Sequence, residues 1–352
     1  MKRYSKLFLI ALPALAALFF VRGFAVRAAA AEPQQKAVPA AQALEPDETP
    51  YDDAEYDAVM AAINQPDLEK RGPMILDVMQ KYPKSALMKN LEYGYTALLK
   101  ELSTAKKYEL LRTDAEKWQK LHPNDVFTIS YIAEASRNMG DYDKCAECYE
   151  ELYKQQPAPT LAKEVFQAYK DTNNLAKQID WADKLFKMPE FDADYMLRFY
   201  FVSKYAESNN YPKAAEYANL TLKSADLVKQ PNAETQEALS KVRLVSYIVI
   251  ATNFMEKDKY AEACASFMKA VKIKPSGELY YSIAQCQENL KDVDNAMISY
   301  AKVDLVPCDK PETAAKAKAR LELLFRANHN GNTTGIEKIT RKAKDELSTP
   351  EK

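Results

Sequence analysis

The chain has little glycine, seven in 352 residues, and little histidine, only His122 and His329. So few glycines exclude a fold built on tight β-turns. They also exclude the glycine-rich loops that bring backbone amides onto a phosphate. Neither histidine is near a candidate nucleophile in sequence, which argues against a Ser-His-Asp or Cys-His site. Cysteines number five, and Cys145 and Cys148 make the single C-x-x-C. No second such pair stands ready to complete a zinc site, and no His follows Cys148 to mark covalent haem attachment. The acidic cluster Asp52, Asp53, Glu55 and Asp57 lacks the glycine and ligand spacing of a calcium loop. No catalytic residue, metal or cofactor is assigned. What is abundant is Lys, Glu, Ala and Leu, all helix formers, together with 22 tyrosines that suit aromatic packing between helices.

Residues 1–31 read as a signal peptide. Lys2, Arg3 and Lys6 give a basic start, Leu7–Val21 is an uncharged apolar run, and Ala28 to Ala31 offer small side chains for cleavage. The run falls short of the roughly 20 residues of a transmembrane helix. Arg22 and Arg27 sit awkwardly close to the cut, so an uncleaved N-terminal anchor is the alternative and the one route to membrane contact. Removing residues 1–31 takes away five positive charges and no negative ones, moving the net charge from −1 to −6. An acidic mature chain lacks the Lys/Arg excess that neutralises phosphates, so no nucleic-acid partner is expected. Residues 32–50 are rich in Pro, Ala, Gln and acidic side chains without apolar period, and read as a flexible linker.

From Tyr51 the chain alternates apolar helical stretches with short polar breaks. Four segments repeat one pattern, beginning at Gly140, Asn210, Asp258 and Lys291. A turn residue is followed by Tyr or Val, then by a small side chain (Cys145, Ala214, Ala263, Ala296), then by a second core residue (Tyr149, Ala218, Phe267, Tyr300). Pro157, Pro275 and Pro307 close most units, because proline cannot continue a helix. Tyr108, Tyr142, Leu175 and Tyr211 recur at a nearly constant interval of roughly 34 residues, and Tyr260 and Val293 are separated by the same interval. Two helices of roughly 14 residues and their turns have this length. In the first helices, Ile129, Ile132 and Ala133 share a face, as do Tyr280, Ile283 and Ala284.

These units resemble tetratricopeptide repeats. The match is good over 126–158, 195–222, 244–276 and 277–310, fair over 92–125, and poor over 159–192, where Gln178 stands in the small-residue slot. The resemblance implies an all-α fold of tandem helix-turn-helix repeats over 51–310, stacked in a right-handed superhelix (an α-solenoid), with a capping helix and tail over 311–352. Asp309-Lys-Pro-Glu312 is expected to start that cap with Asp309 as its N-cap. The stretch from Tyr211 to Tyr260 exceeds one unit, and the surplus near 223–240 is either loop drift or a binding lip.

In the resembled family the first helix of each unit lines the concave face. By register Lys163, Gln167, Lys170, Phe199, Ser203, Tyr281, Gln285 and Asn289 then face inward as a partner-binding groove. Aromatic and amide side chains suit an extended peptide or a partner helix. Cys264 and Cys286 fall on neighbouring helices and are the candidate disulfide, since export permits one. The functional expectation is an exported, non-catalytic protein-binding scaffold of the periplasm or cell envelope. The alternatives are a thiol-redox protein using Cys145 and Cys148, and a self-assembling structural protein.

Overall fold

The computed structural model describes residues 51–172 and 174–348; the expected signal peptide and linker lie outside them. Sixteen α-helices and no strand occur among the described residues. They form two compact units that divide between Phe191 and Asp192.

The first unit holds four antiparallel helix pairs. These are α1 (Asp53–Ile63) with α2 (Leu68–Lys81), α3 (Met88–Thr104) with α4 (Tyr108–Leu121), α5 (Val126–Asn138) with α6 (Tyr142–Gln155), and α7 (Pro159–Asp171) with α8 (Leu175–Leu185). The second unit holds three pairs: α9 (Tyr195–Glu207) with α10 (Tyr211–Asp226), α11 (Ala233–Glu256) with α12 (Tyr260–Ile273), and α13 (Gly277–Asn289) with α14 (Val293–Lys302). Helices α15 (Pro311–Asn328) and α16 (Ile336–Ser348) follow and pack on α14. The surplus residues between Tyr211 and Tyr260 lengthen α10 and α11. By length and composition α11 could cross a membrane, yet Val242, Val249 and Ala251 are fully buried and it packs on α10 and α12 as a core helix.

One turn explains five of the pairs. The residue two positions before the second helix takes positive φ at Lys106, Gly140, Asn209, Asp258 and Lys291. The next amide donates to the carbonyl five residues back, as Asp141 does to Ser136 at 2.9 Å and Asp292 to Gln287 at 2.9 Å. This left-handed stop satisfies carbonyls that the first helix leaves unpaired. Asp141, Asn210 and Asp292 then accept from the amide three residues on and so cap the second helix.

The small-residue slot is buried throughout: Cys145, Ala214, Ala263 and Ala296 are inaccessible. Gln178 occupies the slot in the poorly matching repeat. Its amide donates to the Tyr169 carbonyl at 3.0 Å, so the larger polar side chain is buried with a partner. The cap carries apolar stripes: Ala317, Leu321 and Phe325 of α15 and Ala343 of α16 are buried, with Ala314, Leu324, Ile336, Ile339 and Leu347 packed beside them. The start of α15 corrects the expectation. Its N-cap is Lys310, with no side-chain cap. The Lys310 amide is met by the Glu278 carboxylate of α13 at 3.0 Å, a partner 32 residues away, so Asp309 does not cap the helix.

In the first unit polar contacts tie each repeat to the next at about this same separation, and in the second one ties α13 to the cap. In the first unit Arg71 reaches Glu101 at 2.9 Å, Ser103 reaches Glu134 at 2.8 Å and Arg137 reaches Glu164 at 3.0 Å. Glu150 accepts from Lys177 at 3.1 Å and from the Trp181 indole at 2.9 Å. In the second unit Arg320 donates to Glu288 at 2.9 Å.

Candidate functional site

In the first unit, Tyr93 on α3 and Phe127 on α5 are the conspicuous exposed aromatics, 67% and 56% accessible. Tyr93 stands as far ahead of Tyr108, which opens α4, as Phe127 stands ahead of Tyr142, which opens α6. They therefore occupy one position of the repeat in adjacent repeats. Further along the same helix faces lie Thr96 and Lys100 on α3, and Ser130 and Glu134 on α5. The register reading missed Tyr93 and Phe127 because an aromatic in an apolar helical stretch reads as core. Their common spacing was the signal available.

On α7, Lys163 is exposed, with its ammonium 5.5 Å from the centre of the Phe191 ring. Gln167 and Lys170 are half-buried, and Gln167 donates to Asp171 at 3.3 Å. These three share a unit with Tyr93 and Phe127. The other expected groove residues belong to the second unit. Phe199 is a correction: it is 5% exposed and does not line an accessible face. Helix α9 also buries Leu197, Arg198, Phe201 and Val202, and a helix apolar on most sides leaves little of its surface to solvent. Ser203 is half-buried. On α13, Tyr281 is half-buried and meets the Tyr300 ring edge-on at 5.5 Å. The Tyr300 hydroxyl donates to Glu288 at 3.1 Å. Gln285 is half-buried and Asn289 is exposed, its amide donating to the Gln285 carbonyl at 2.8 Å. The structure thus brings Tyr281, Gln285 and Asn289 to one stripe of one helix.

Burial pushes the Glu150 carboxyl up, but hydrogen bonds from Trp181, Lys177 and Tyr169 outweigh it and hold the group below the usual carboxylate range. The Arg320 guanidinium does the same for Glu288. His122 lies against Trp118 at 4.4 Å, and His329 stacks on Phe325 at 3.9 Å. Burial pushes the Cys145 thiol up and the Cys148 thiol up to about 11. Both are buried on one helix, whereas the attacking cysteine of a redox catalyst is exposed and low in pKa. All five cysteines are free thiols. A cleft of about 290 Å³ opens over Gln119, Ile129, Lys144, Cys148, Glu150 and Lys154. Its rim charges are paired, Lys144 with Glu147 at 3.6 Å and Lys154 with Glu151 at 3.5 Å. Among the described residues, no group of three or more His, Cys, Asp or Glu could hold a metal ion.

Consecutive antiparallel helix pairs, left-handed stops at one position and side-chain ties at one repeat length define an all-α tandem-repeat protein. The repeat itself matches the tetratricopeptide repeat family model at residues 132–159, 244–276 and 277–304. The chain is a tetratricopeptide-repeat protein. The pair at 195–226, outside those matches, has the same turn and cap. No curated protein matches the chain in sequence. Among solved structures, yeast Tom70 is similar at 14% identity over 81% of this chain and 62% of that one, with a TM-score of 0.37. The chain thus spans less than two thirds of that protein's length. A tetratricopeptide repeat protein from Parabacteroides merdae is similar at 15% identity over 77% of this chain and 99% of that one, TM-score 0.33. YrrB, described as having an unusual peptide-binding site, is similar at 12% identity over 58% and 94%, TM-score 0.36.

Proposed function

We propose that the protein is a non-catalytic, protein-binding scaffold of the cell envelope that holds a partner peptide or helix against its first-helix faces. The observation that carries this reading is the pair Tyr93 and Phe127. Two large aromatics at one repeat position, both more than half exposed, are costly to leave in water and suit apolar anchors of a partner. Lys163 and Gln167 in the same unit supply polar contacts for a peptide backbone. Export is supported by the basic start, apolar run and small-residue tract of residues 1–31. The acidic chain beyond it favours a protein partner over nucleic acid.

The test is a photo-crosslinking amino acid placed at position 93 or 127 of the full chain, with position 120 on the second helix α4 as control. One dominant protein adduct from 93 and 127, absent from 120, is the expected result. Equal labelling from all three positions overturns the first-helix reading. Fractionation of the same cells, with mass spectrometry of the mature N-terminus, tests export. A soluble cytoplasmic chain still carrying Met1 overturns it.

A further inference from the structure

Helices α12 and α13 run antiparallel around a short connection, Lys274 to Ser276. Cys264 lies as many positions before the centre of that connection, Pro275, as Cys286 lies after it. In an antiparallel pair, positions equidistant from the turn stand level with each other, because both helices rise about 1.5 Å per residue. The two helices pack together, and both cysteines belong to one apolar cluster with Phe267 and Ile283. Cys286 is fully buried within it and Cys264 is half-buried at its edge. Burial pushes the Cys286 thiol up to about 12, and the charge of Cys264 adds a smaller push in the same direction. No other pair of cysteines on different helices is placed in this way. Cys145 and Cys148 lie on one helix, and the Cys308 sulfur is engaged with Glu278 and the Lys310 carbonyl.

We infer that Cys264 and Cys286 form a disulfide on oxidation, stapling α12 to α13 within the second unit. The oxidant is a small-molecule disulfide such as oxidised glutathione. The accessible Cys264 thiolate attacks it, forming a mixed disulfide and releasing one glutathione thiolate. The Cys286 thiolate then attacks the Cys264 Sγ and expels the second glutathione thiolate. Two protein thiols are oxidised, one glutathione disulfide is reduced, and the two protons lost by the cysteines go to the two leaving thiolates. The bond closes a short loop, so it restrains opening of this helix pair and leaves the first unit alone.

The folded full chain is incubated with oxidised glutathione, denatured, alkylated and weighed. The alkylatable thiols are expected to fall from five to three, with digestion yielding one cross-link, between the peptides of residues 264 and 286. Cys264→Ser is expected to keep four alkylatable thiols. Cys286→Ala is expected to retain glutathione on residue 264. Hydrogen exchange of amides in α12 and α13 is expected to slow by roughly a hundredfold on oxidation. Five thiols retained in the wild type, a cross-link between any other pair, or exchange in α12 and α13 unchanged by the bond overturns the inference.

Discussion

Gly72 lies inside α2, where glycine ordinarily costs about 1 kcal/mol relative to alanine. On helix propensity alone, Gly72→Ala stabilises. The packing reverses the sign. A Cβ at position 72 would sit 2.7 Å from the Asp114 Oδ2 and 3.1 Å from its Cγ, with Leu98 Cδ2 at 3.2 Å. The Leu98 methyl can swing away. Asp114 is fully buried on α4, and its Oδ1 is held by Lys117 at 3.1 Å. Overfilling such a site costs about 1–3 kcal/mol. Pro73 follows, and a residue with a Cβ before proline resists the helical conformation. The expected net effect is a loss of about 2 kcal/mol. Removing the obstacle should remove most of it: in an Asp114→Ala background, Gly72→Ala is expected to lie within about 0.5 kcal/mol of neutral, a coupling of at least about 1 kcal/mol. Urea unfolding followed by tryptophan fluorescence reads this unit, because Trp118 and Trp181 both lie in it. Trp118 stacks on Tyr95 at 4.5 Å, and the Tyr95 hydroxyl donates to the Asp114 carbonyl at 3.0 Å, so one probe is beside the perturbation. A single variant more stable than wild type, or an equal penalty in both backgrounds, refutes the reasoning.

Lys106 and Lys291 hold left-handed backbone at φ 56° and 66°, the position that Gly140 fills in a sister repeat. Lys106→Gly and Lys291→Gly are each expected to raise stability by about 0.5–1 kcal/mol, measured by denaturant midpoint, because glycine adopts this conformation without a Cβ clash. Phe199→Ala is expected to cost about 3–5 kcal/mol as a core truncation, visible as a lowered thermal midpoint. Glu150→Ala leaves the buried Trp181 indole without its acceptor and is expected to cost about 2 kcal/mol in the first unit. The Glu150 carboxyl sits below its unfolded range, so its stabilisation is present above about pH 4.3 and is lost as pH falls through the lower folded value. Burial raises the Asp114 carboxyl against the weaker pull of Lys117, so its contribution has the opposite sign. Asp114→Asn is therefore expected to flatten the gain in stability on mild acidification, while Glu150→Gln flattens the loss.

The helix pairs were legible because their signals are local. Turn residue, aromatic, small residue and proline recur within one unit, and the spacing from Tyr142 to Leu175 to Tyr211 survives even where Gln178 breaks the pattern. What escaped the sequence is non-local. Register alone assigns Phe199 to an open face, but the neighbouring Leu197, Phe201 and Val202 make α9 a core helix. A cap at Asp309 obeys every local rule, yet a carboxylate one repeat away meets the amide at Lys310 instead. Tyr93 and Phe127 are the same residue types as the core aromatics. Only their matched positions, equally far ahead of Tyr108 and Tyr142, set them apart.

The side-chain ties between neighbouring repeats give the units an order. Glu150 finds an indole and an ammonium only because Trp181 and Lys177 come next, and Arg137 finds a carboxylate only because Glu164 does. A family-average repeat spliced between them would match the backbone but strand donors and acceptors on both sides. Excising one repeat would do the same, since the flanking partners were never made for each other. Repeats of this kind are interchangeable in shape and particular in chemistry. The chain should therefore tolerate lengthening at its ends more readily than shuffling in its interior.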